Sequence, residues 1–191
     1  MKLLFASHNT HKAKEISAIF NGVTEISCLE DIGFFEEIIE SGLTLEENAQ
    51  IKAEAVYKAT QLNCFADDTG LLVEYLNDEP GVFSARYAGP EKSADANNLK
   101  LLKALGQTET RKAKFQTVIC LILNGQQHFF VGELHGKIGY ELLGDQGFGY
   151  DPLFIPDGYQ RTLAQMSLAE KNTISHRAKA FTAMLEFLKQ V

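Results

Sequence analysis

The sequence predicts an α/β protein with a mixed β-sheet flanked by helices, in one domain spanning residues 1–191. Two observations carry that prediction. Short apolar runs of strand length alternate with stretches whose apolar residues recur at helical spacing. Two strand-like runs, KFQTVICLIL and QQHFFVGEL, are separated only by Asn124-Gly125, the dipeptide that a tight hairpin favours, so at least one pair of strands is antiparallel.

The elements follow in order. KLLFA reads as a first strand, Ser7-His8-Asn9-Thr10 as a polar turn, and the next stretch as a helix with Ile16, Ile19 and Phe20 on one face. TEISCL reads as a second strand, followed by the acidic loop DIGFFEEIIESG. Thr44 with Glu47 three residues later is a capping-box pattern, and it opens a helix through LEENAQIKAEAVYKATQL. NCFAD then reads as a strand leading into Asp67-Asp68-Thr69-Gly70, and GLLVEYL as another strand after it. A long polar excursion, NDEPGVFSARYAGPEKS, precedes a helix around ADANNLKLLKALG and then the hairpin. GDQGFGYDPLFIPDGY is expected as a loop because its glycines and prolines break either regular structure, and one helix from about Thr173 closes the chain.

Composition sets limits on function. With 45% hydrophobic and 23% charged residues the chain is an ordinary globular sequence, and 191 residues suffice for a substantial core. A net charge of −7 argues against a broad nucleic-acid or anionic-membrane surface, so any phosphate must be met by a few placed cations and a metal. The N-terminal apolar run is too short for a signal peptide, and no segment approaches the ~18 apolar residues of a membrane helix, which predicts a cytoplasmic protein. Cys28, Cys64 and Cys120 are odd in number and widely spaced, as expected of core thiols rather than a disulfide framework. The histidines form no HExxH pattern, so zinc chemistry is not expected.

The chemistry-bearing residues lie in the loops. Asp67 and Asp68 fit either a strand that ends in a turn or a carboxylate site for a metal. Ser7, Asn9 and Lys12 stand where a strand hands over to a helix N-terminus, a place for an anion such as phosphate or simply for an N-cap beside a solvated lysine. Glu36, Glu37 and Glu40 are candidate partners of Asp68 on a hard cation such as Mg2+, and composition does not choose among them. In GFGYDP, glycines on both sides of Phe148 leave its ring available to stack on a base, with a buried turn as the alternative. Lys171 and Arg177 add a second cationic group.

The order SHNTHK, ESGLTLEENA, ADDTGL with PGVFSARYAG, GFGYDP and SHR resembles the non-canonical purine nucleoside triphosphate pyrophosphatase family, the inosine triphosphatase or XTP/dITP diphosphatase group, over essentially the whole chain. The resemblance implies two lobes around a central nucleotide-binding cleft, a homodimer, and a Mg2+-dependent cleavage of nucleoside triphosphates to monophosphate and pyrophosphate. It implies that Ser7, His8, Asn9, Thr10, His11 and Lys12 embrace the triphosphate and that Glu40 and Asp68 hold the metal, with Asp68 also the general base and Asp67 its support. Thr69, Phe148, Gly149, Tyr150, Asp151, Lys171, His176 and Arg177 are implied to contact the nucleotide, Lys52 the phosphates, and His176-Arg177 to read the purine.

The family often has glycine where His8 stands, which questions the local backbone, and serine where Thr69 keeps the hydroxyl. A Maf-type pyrophosphatase acting on pyrimidine or modified nucleotides is the alternative, separable by a substrate panel. A haloacid-dehalogenase-type phosphatase would need DxDGT, and a non-catalytic sensor would have no use for a base beside a metal site.

Overall fold

The computed structural model describes residues 2–9, 12, 16, 20 and 25–191. The chain divides into two compact units: residues 1–68, 117–132 and 177–191, and residues 69–116 and 133–176. Among the described residues the strands are β1 (Lys2–Phe5), β2 (Glu25–Cys28), β3 (Cys64–Val73), β4 (Glu79–Pro80), β5 (Lys112–Leu123), β6 (Gln126–Ile138) and β7 (Phe154–Pro156). Their order is β2-β1-β3-β5-β6-β7, with β4 on β3. β1 pairs parallel with β2 and β3, while β7 pairs antiparallel with β6, so the sheet is mixed as expected. The described helices are α1 (Leu45–Thr60), α2 (Ala94–Leu105), α3 (Leu168–Ile174) and α4 (His176–Leu188), and Lys12, Ile16 and Phe20 are helical as well.

In the first unit the sheet is covered on both faces, and the period-two alternation of strands sorts its side chains. Leu3, Phe5, Phe65, Ile119 and Leu121 pack with Ile16, Phe20 and the Phe181 and Met184 positions of α4. Leu4, Cys64, Ala66, Cys120 and Ile122 pack on the opposite face with Ala49, Ala53 and Val56 of α1. A strand buried on both faces has no reason to alternate, which is why β5 ends in the continuous run Val118 to Leu123. Its first half, Lys112 to Gln116, does alternate, because in the second unit only the Ala113 and Phe115 side joins a core, with Leu71, Leu101, Phe154 and Leu163.

Asn124 and Gly125 both have positive φ, +51° and +81°, the combination a type I′ hairpin turn requires, and only glycine adopts it without steric cost. Burial pushes the thiols of Cys64 and Cys120 up to about 12, so both are inert core groups, while Cys28 is half-buried.

Three expectations need correction. Asp67-Asp68-Thr69-Gly70 is no turn between two strands: β3 runs unbroken through it from Cys64 to Val73. Partners for the carboxylates within the fold remove the need for a solvated turn there. The Gly- and Pro-rich segment is not all loop, since Phe154–Pro156 adds β7 to the edge of β6. The closing helix is two helices, broken at Ser175 (φ −65°, ψ 151°), and α3 starts at a capping box of its own, Ser167 with Glu170. Among the described residues no helix is long and apolar enough to cross a membrane.

Candidate active site

The two adjacent carboxylates of β3 occupy opposite faces of the sheet. Asp67 follows the Phe65 side and Asp68 the Ala66 side, as strand periodicity dictates. Their surroundings differ accordingly.

Asp67 is 1% exposed, and its Oδ1 accepts from Lys12 Nζ at 3.0 Å while its Oδ2 lies 3.5 Å from Arg177 Nε. Burial by itself would raise this carboxyl, but Lys12, Arg177 and Lys52 outweigh it and hold Asp67 down to about 2. Lys12 also donates to the Asp67 backbone carbonyl at 3.3 Å, so the lysine expected to be either a phosphate contact or a solvated charge is anchored to the strand.

Asp68 meets α1. Its Oδ2 accepts from Asn48 Nδ2 and its Oδ1 from Lys52 Nζ, both at 3.3 Å, and Lys52 Nζ also donates to Glu40 Oε1 at 2.8 Å. Burial is the main influence on Asp68 and raises its carboxyl above the ordinary range, against the opposing pull of Lys52 and Lys12. For Lys52, burial works to lower the ammonium, but Asp68, Glu40 and Asp67 more than offset it and keep the group charged.

Local sequence explains why α1 delivers these groups. The Thr44 hydroxyl accepts from Glu47 N at 3.1 Å and Glu47 Oε2 accepts from Thr44 N at 3.2 Å, which fixes the first turn. Asn48 and Lys52, four residues apart, then share a helix face. Gly42 N donates to Asn48 Oδ1 at 2.8 Å, and a Cβ on Gly42 would lie 2.7 Å from that same oxygen, so only glycine lets the chain approach.

The arrangement suits a hard divalent cation. Glu40 and Asp68 already converge on one cationic centre, the Lys52 ammonium, and two carboxylates with substrate phosphates form the kind of donor set Mg2+ accepts. Among the described residues no cluster of three or more His, Cys, Asp or Glu is built to hold a metal by itself.

The same unit holds Ser7, His8 and Asn9 beyond β1. Asn9 N donates to Ser7 Oγ and Asn9 Oδ1 accepts from Lys12 N, both at 3.2 Å, so the Asn9 side chain is tied to the Lys12 backbone. His8 Nε2 lies 3.5 Å from the Glu36 carbonyl oxygen, and His8 is not among the described residues with positive φ. Thr10 and His11 lie outside the described residues.

The second unit gathers the GFGYDP residues. Asp151 Oδ2 accepts from Phe148 N at 2.9 Å and from Lys171 Nζ at 2.7 Å, and the Lys171 ammonium lies 4.9 Å from the centre of the Phe148 ring. Gly147 has φ +78°, and a Cβ there would run into Asp151 Oδ2. Tyr150 is buried with its hydroxyl donating to Ser84 O at 2.9 Å, and Gly149 O accepts from Asn98 Nδ2 at 2.9 Å. Thr69 is half-buried on β3. His176 stacks on Phe115 at 4.7 Å between ring centres.

Within the first unit Lys12, Glu40, Lys52, Asp67, Asp68 and Arg177 form one group, and within the second Phe148, Asp151 and Lys171 form another. Sequence reasoning missed Asn48 and Asn98. The signal for Asn48 was its place one turn before Lys52 on the capped helix, and no comparable signal marked Asn98.

A dITP/XTP pyrophosphatase of Flavobacterium psychrophilum is 50% identical over 189 residues, covering 99% of this chain and 100% of that one. Another from Porphyromonas gingivalis is 52% identical over 98% of this chain and 97% of its own. Among solved structures, the Staphylococcus aureus Ham1 protein superposes with a TM-score of 0.91 at 39% identity, covering 100% of this chain and 99% of that one. A HAM1 protein from Coxiella burnetii superposes with a TM-score of 0.92 at 36% identity over 100% of both chains. With the Ham1 family model matching residues 3–187, the chain belongs to the Ham1 family.

Proposed function

We propose that this chain hydrolyses non-canonical purine nucleoside triphosphates, ITP, dITP and XTP, to the monophosphate and pyrophosphate, keeping them out of DNA and RNA. The observation that carries the chemistry is the divergence of the two adjacent carboxylates. Asp67 is sealed in by Lys12 and Arg177, while Asp68 is shared with Asn48 and Lys52 beside Glu40 and lifted by burial. Two carboxylates whose environments push them apart in acidity divide structural and acid–base work between them. Relatives named dITP/XTP pyrophosphatase at 50–52% identity supply the substrate class, and the Ham1 match leaves the Maf-type alternative without support.

Asp68 takes the proton from the water that attacks the α-phosphorus, and its burial, which raises the carboxyl, makes it a stronger base than an exposed aspartate. Glu40 and Asp68 would hold Mg2+, which when bound neutralises the polyphosphate and the charge developing on it. Lys52 and Lys12, with Ser7 and Asn9, meet the phosphates; an acidic chain has to place its cations where the anion goes. Phe148 stacks on the base, held over Lys171 and Asp151. The His176-Arg177 pair presents buried donors to a 6-oxo group. An adenine amino group would leave them unpaired, a defect of about 1–3 kcal/mol. The reading extends to a homodimer on the motif resemblance and to a cytoplasmic location on the absence of a membrane-length helix among the described residues.

The test is pyrophosphate release from dITP, ITP and XTP, with and without Mg2+, against ATP and GTP. Mg2+-dependent pyrophosphate from the 6-oxo non-canonical nucleotides is expected, with its loss in Asp68→Asn. Orthophosphate as the product, or equal turnover of ATP, would overturn the reading.

A further inference from the structure

The segment PGVFSARYAG has no part in the chemistry above, yet its Ser84 is a hub of buried hydrogen bonds within the second unit. Ser84 Oγ accepts from Leu71 N at 2.9 Å, three residues along β3 from Asp68, and donates to Gly81 O at 2.6 Å. Its backbone carbonyl accepts from the Tyr150 hydroxyl at 2.9 Å and from Asn97 Nδ2 at 3.3 Å. The neighbouring Asn98 reaches the same loop as Tyr150, donating to Gly149 O at 2.9 Å.

Asn98 is the informative member. It is 2% exposed, and its Oδ1 is buried without a hydrogen-bond partner. A half-satisfied buried amide costs stability, and leucine, of similar shape, would remove that cost. The one bond the amide does make holds the carbonyl of Gly149, a residue at φ +62° next to Phe148. Gly149 has open space where a Cβ would stand, so packing alone does not hold it.

We propose that Asn98 and Ser84 are positioning residues that set the nucleoside-binding loop, Phe148 to Asp151. Asn98 grips the Gly149 carbonyl, and Ser84 fastens Tyr150 to the strand that carries the catalytic carboxylate. This rests on the assignment of Phe148 and its neighbours to base binding. It gives the long excursion after β3 the role of an internal brace. Loosening the brace leaves Asp68 and the phosphate groups in place, so it weakens selection and affinity for the base more than it slows the chemical step.

The experiment compares Asn98→Leu and Ser84→Ala, with Phe148→Ala as reference, by steady-state pyrophosphate release from dITP and GTP together with thermal melting. Each brace variant is expected to raise KM for dITP about fivefold, the worth of one hydrogen bond, with kcat within about twofold and a smaller preference for dITP over GTP. Asn98→Leu should do so with its melting midpoint nearly unchanged. An unchanged KM in both brace variants, whatever the melting midpoint, or a fall in kcat alone, overturns the proposal. If Phe148→Ala raises KM and the brace variants do not, the brace fails while the base-binding loop stands. If Phe148→Ala leaves KM unchanged, the base-binding assignment fails and takes the brace with it. Should Asn98→Leu not fold, Ser84→Ala, which loses one buried hydroxyl and its bonds to Leu71 N and Gly81 O, decides the matter.

Discussion

Asp67 and Asp68 share a peptide bond and little else, and substitution should separate them cleanly. Asp67→Asn leaves Lys12 and Arg177 buried without their counter-charge, and a fall in stability of about 3 kcal/mol is expected in urea unfolding. Asp68→Asn removes a carboxylate that burial already disfavours. Its unfolding midpoint should stay near the native one, while kcat falls by about 10²-fold or more. The two also respond to pH with opposite sign. Asp67, at about 2 in the fold and near 3.9 when unfolded, contributes stability above pH ~4 that is lost as the pH falls towards 2. Asp68, raised in the fold, acts the other way: its contribution to stability is present at low pH and is lost as the pH rises through its folded-state value, and as the proposed base it must be deprotonated for activity. The acid limb of kcat/KM should therefore lie above the ordinary carboxylate range, and acid unfolding well below it. An acid limb below pH ~4 would remove Asp68 as the base. The sequence left both carboxylates open between a turn and a metal site; read as mid-strand, the period-two rule would have assigned them to opposite faces.

Among the elements, α1 does most to build the group around Asp68. Thr44→Ala removes one side of its capping box and should lower stability by about 1 kcal/mol. Gly42→Ala should do more, because its methyl collides with Asn48 Oδ1 and pushes away the amide that meets Asp68. The expected result is lower kcat beyond what the loss of stability explains, checked by assaying both variants well below their melting midpoints. The start of α1 was legible, since Thr44-x-x-Glu47 is a local hydrogen-bond pattern that needs no tertiary partner. Ser167-x-x-Glu170 was equally legible, yet α3 was overlooked because the 3.6-residue apolar repeat of α4 dominated the reading of the C-terminus. The bend at Ser175 left no comparable mark. β7 was overlooked for another reason: three residues among glycines and prolines become a strand only because the edge of β6 offers them hydrogen bonds.

For the whole molecule, the chain crosses between its two units after Asp68, Gln116, Gly132 and His176, so both Asp68-Thr69 and His176-Arg177 are divided by a crossing. In β5 the sequence marks the crossing itself, as alternation in KAKFQ gives way to the unbroken run VICLIL. A metal that binds the folded chain and not the unfolded one must raise the melting midpoint. Mg2+ without nucleotide is thus expected to raise it, EDTA to reverse the gain, and Glu40→Gln to abolish it, as followed by differential scanning calorimetry. No shift on adding Mg2+ would count against a metal held by Glu40 and Asp68 in the nucleotide-free protein. What the sequence by itself determined was the α/β class, the Asn-Gly hairpin, the capped helix and the family, since these rest on periodicity, local hydrogen bonds and motif order. Only the tertiary structure decided that Asp67 is sealed while Asp68 is available, that Lys52 joins Glu40 to Asp68, and that Asn98 grips Gly149. Burial and charge at each of these groups come from side chains far away in sequence, and no local pattern encodes them.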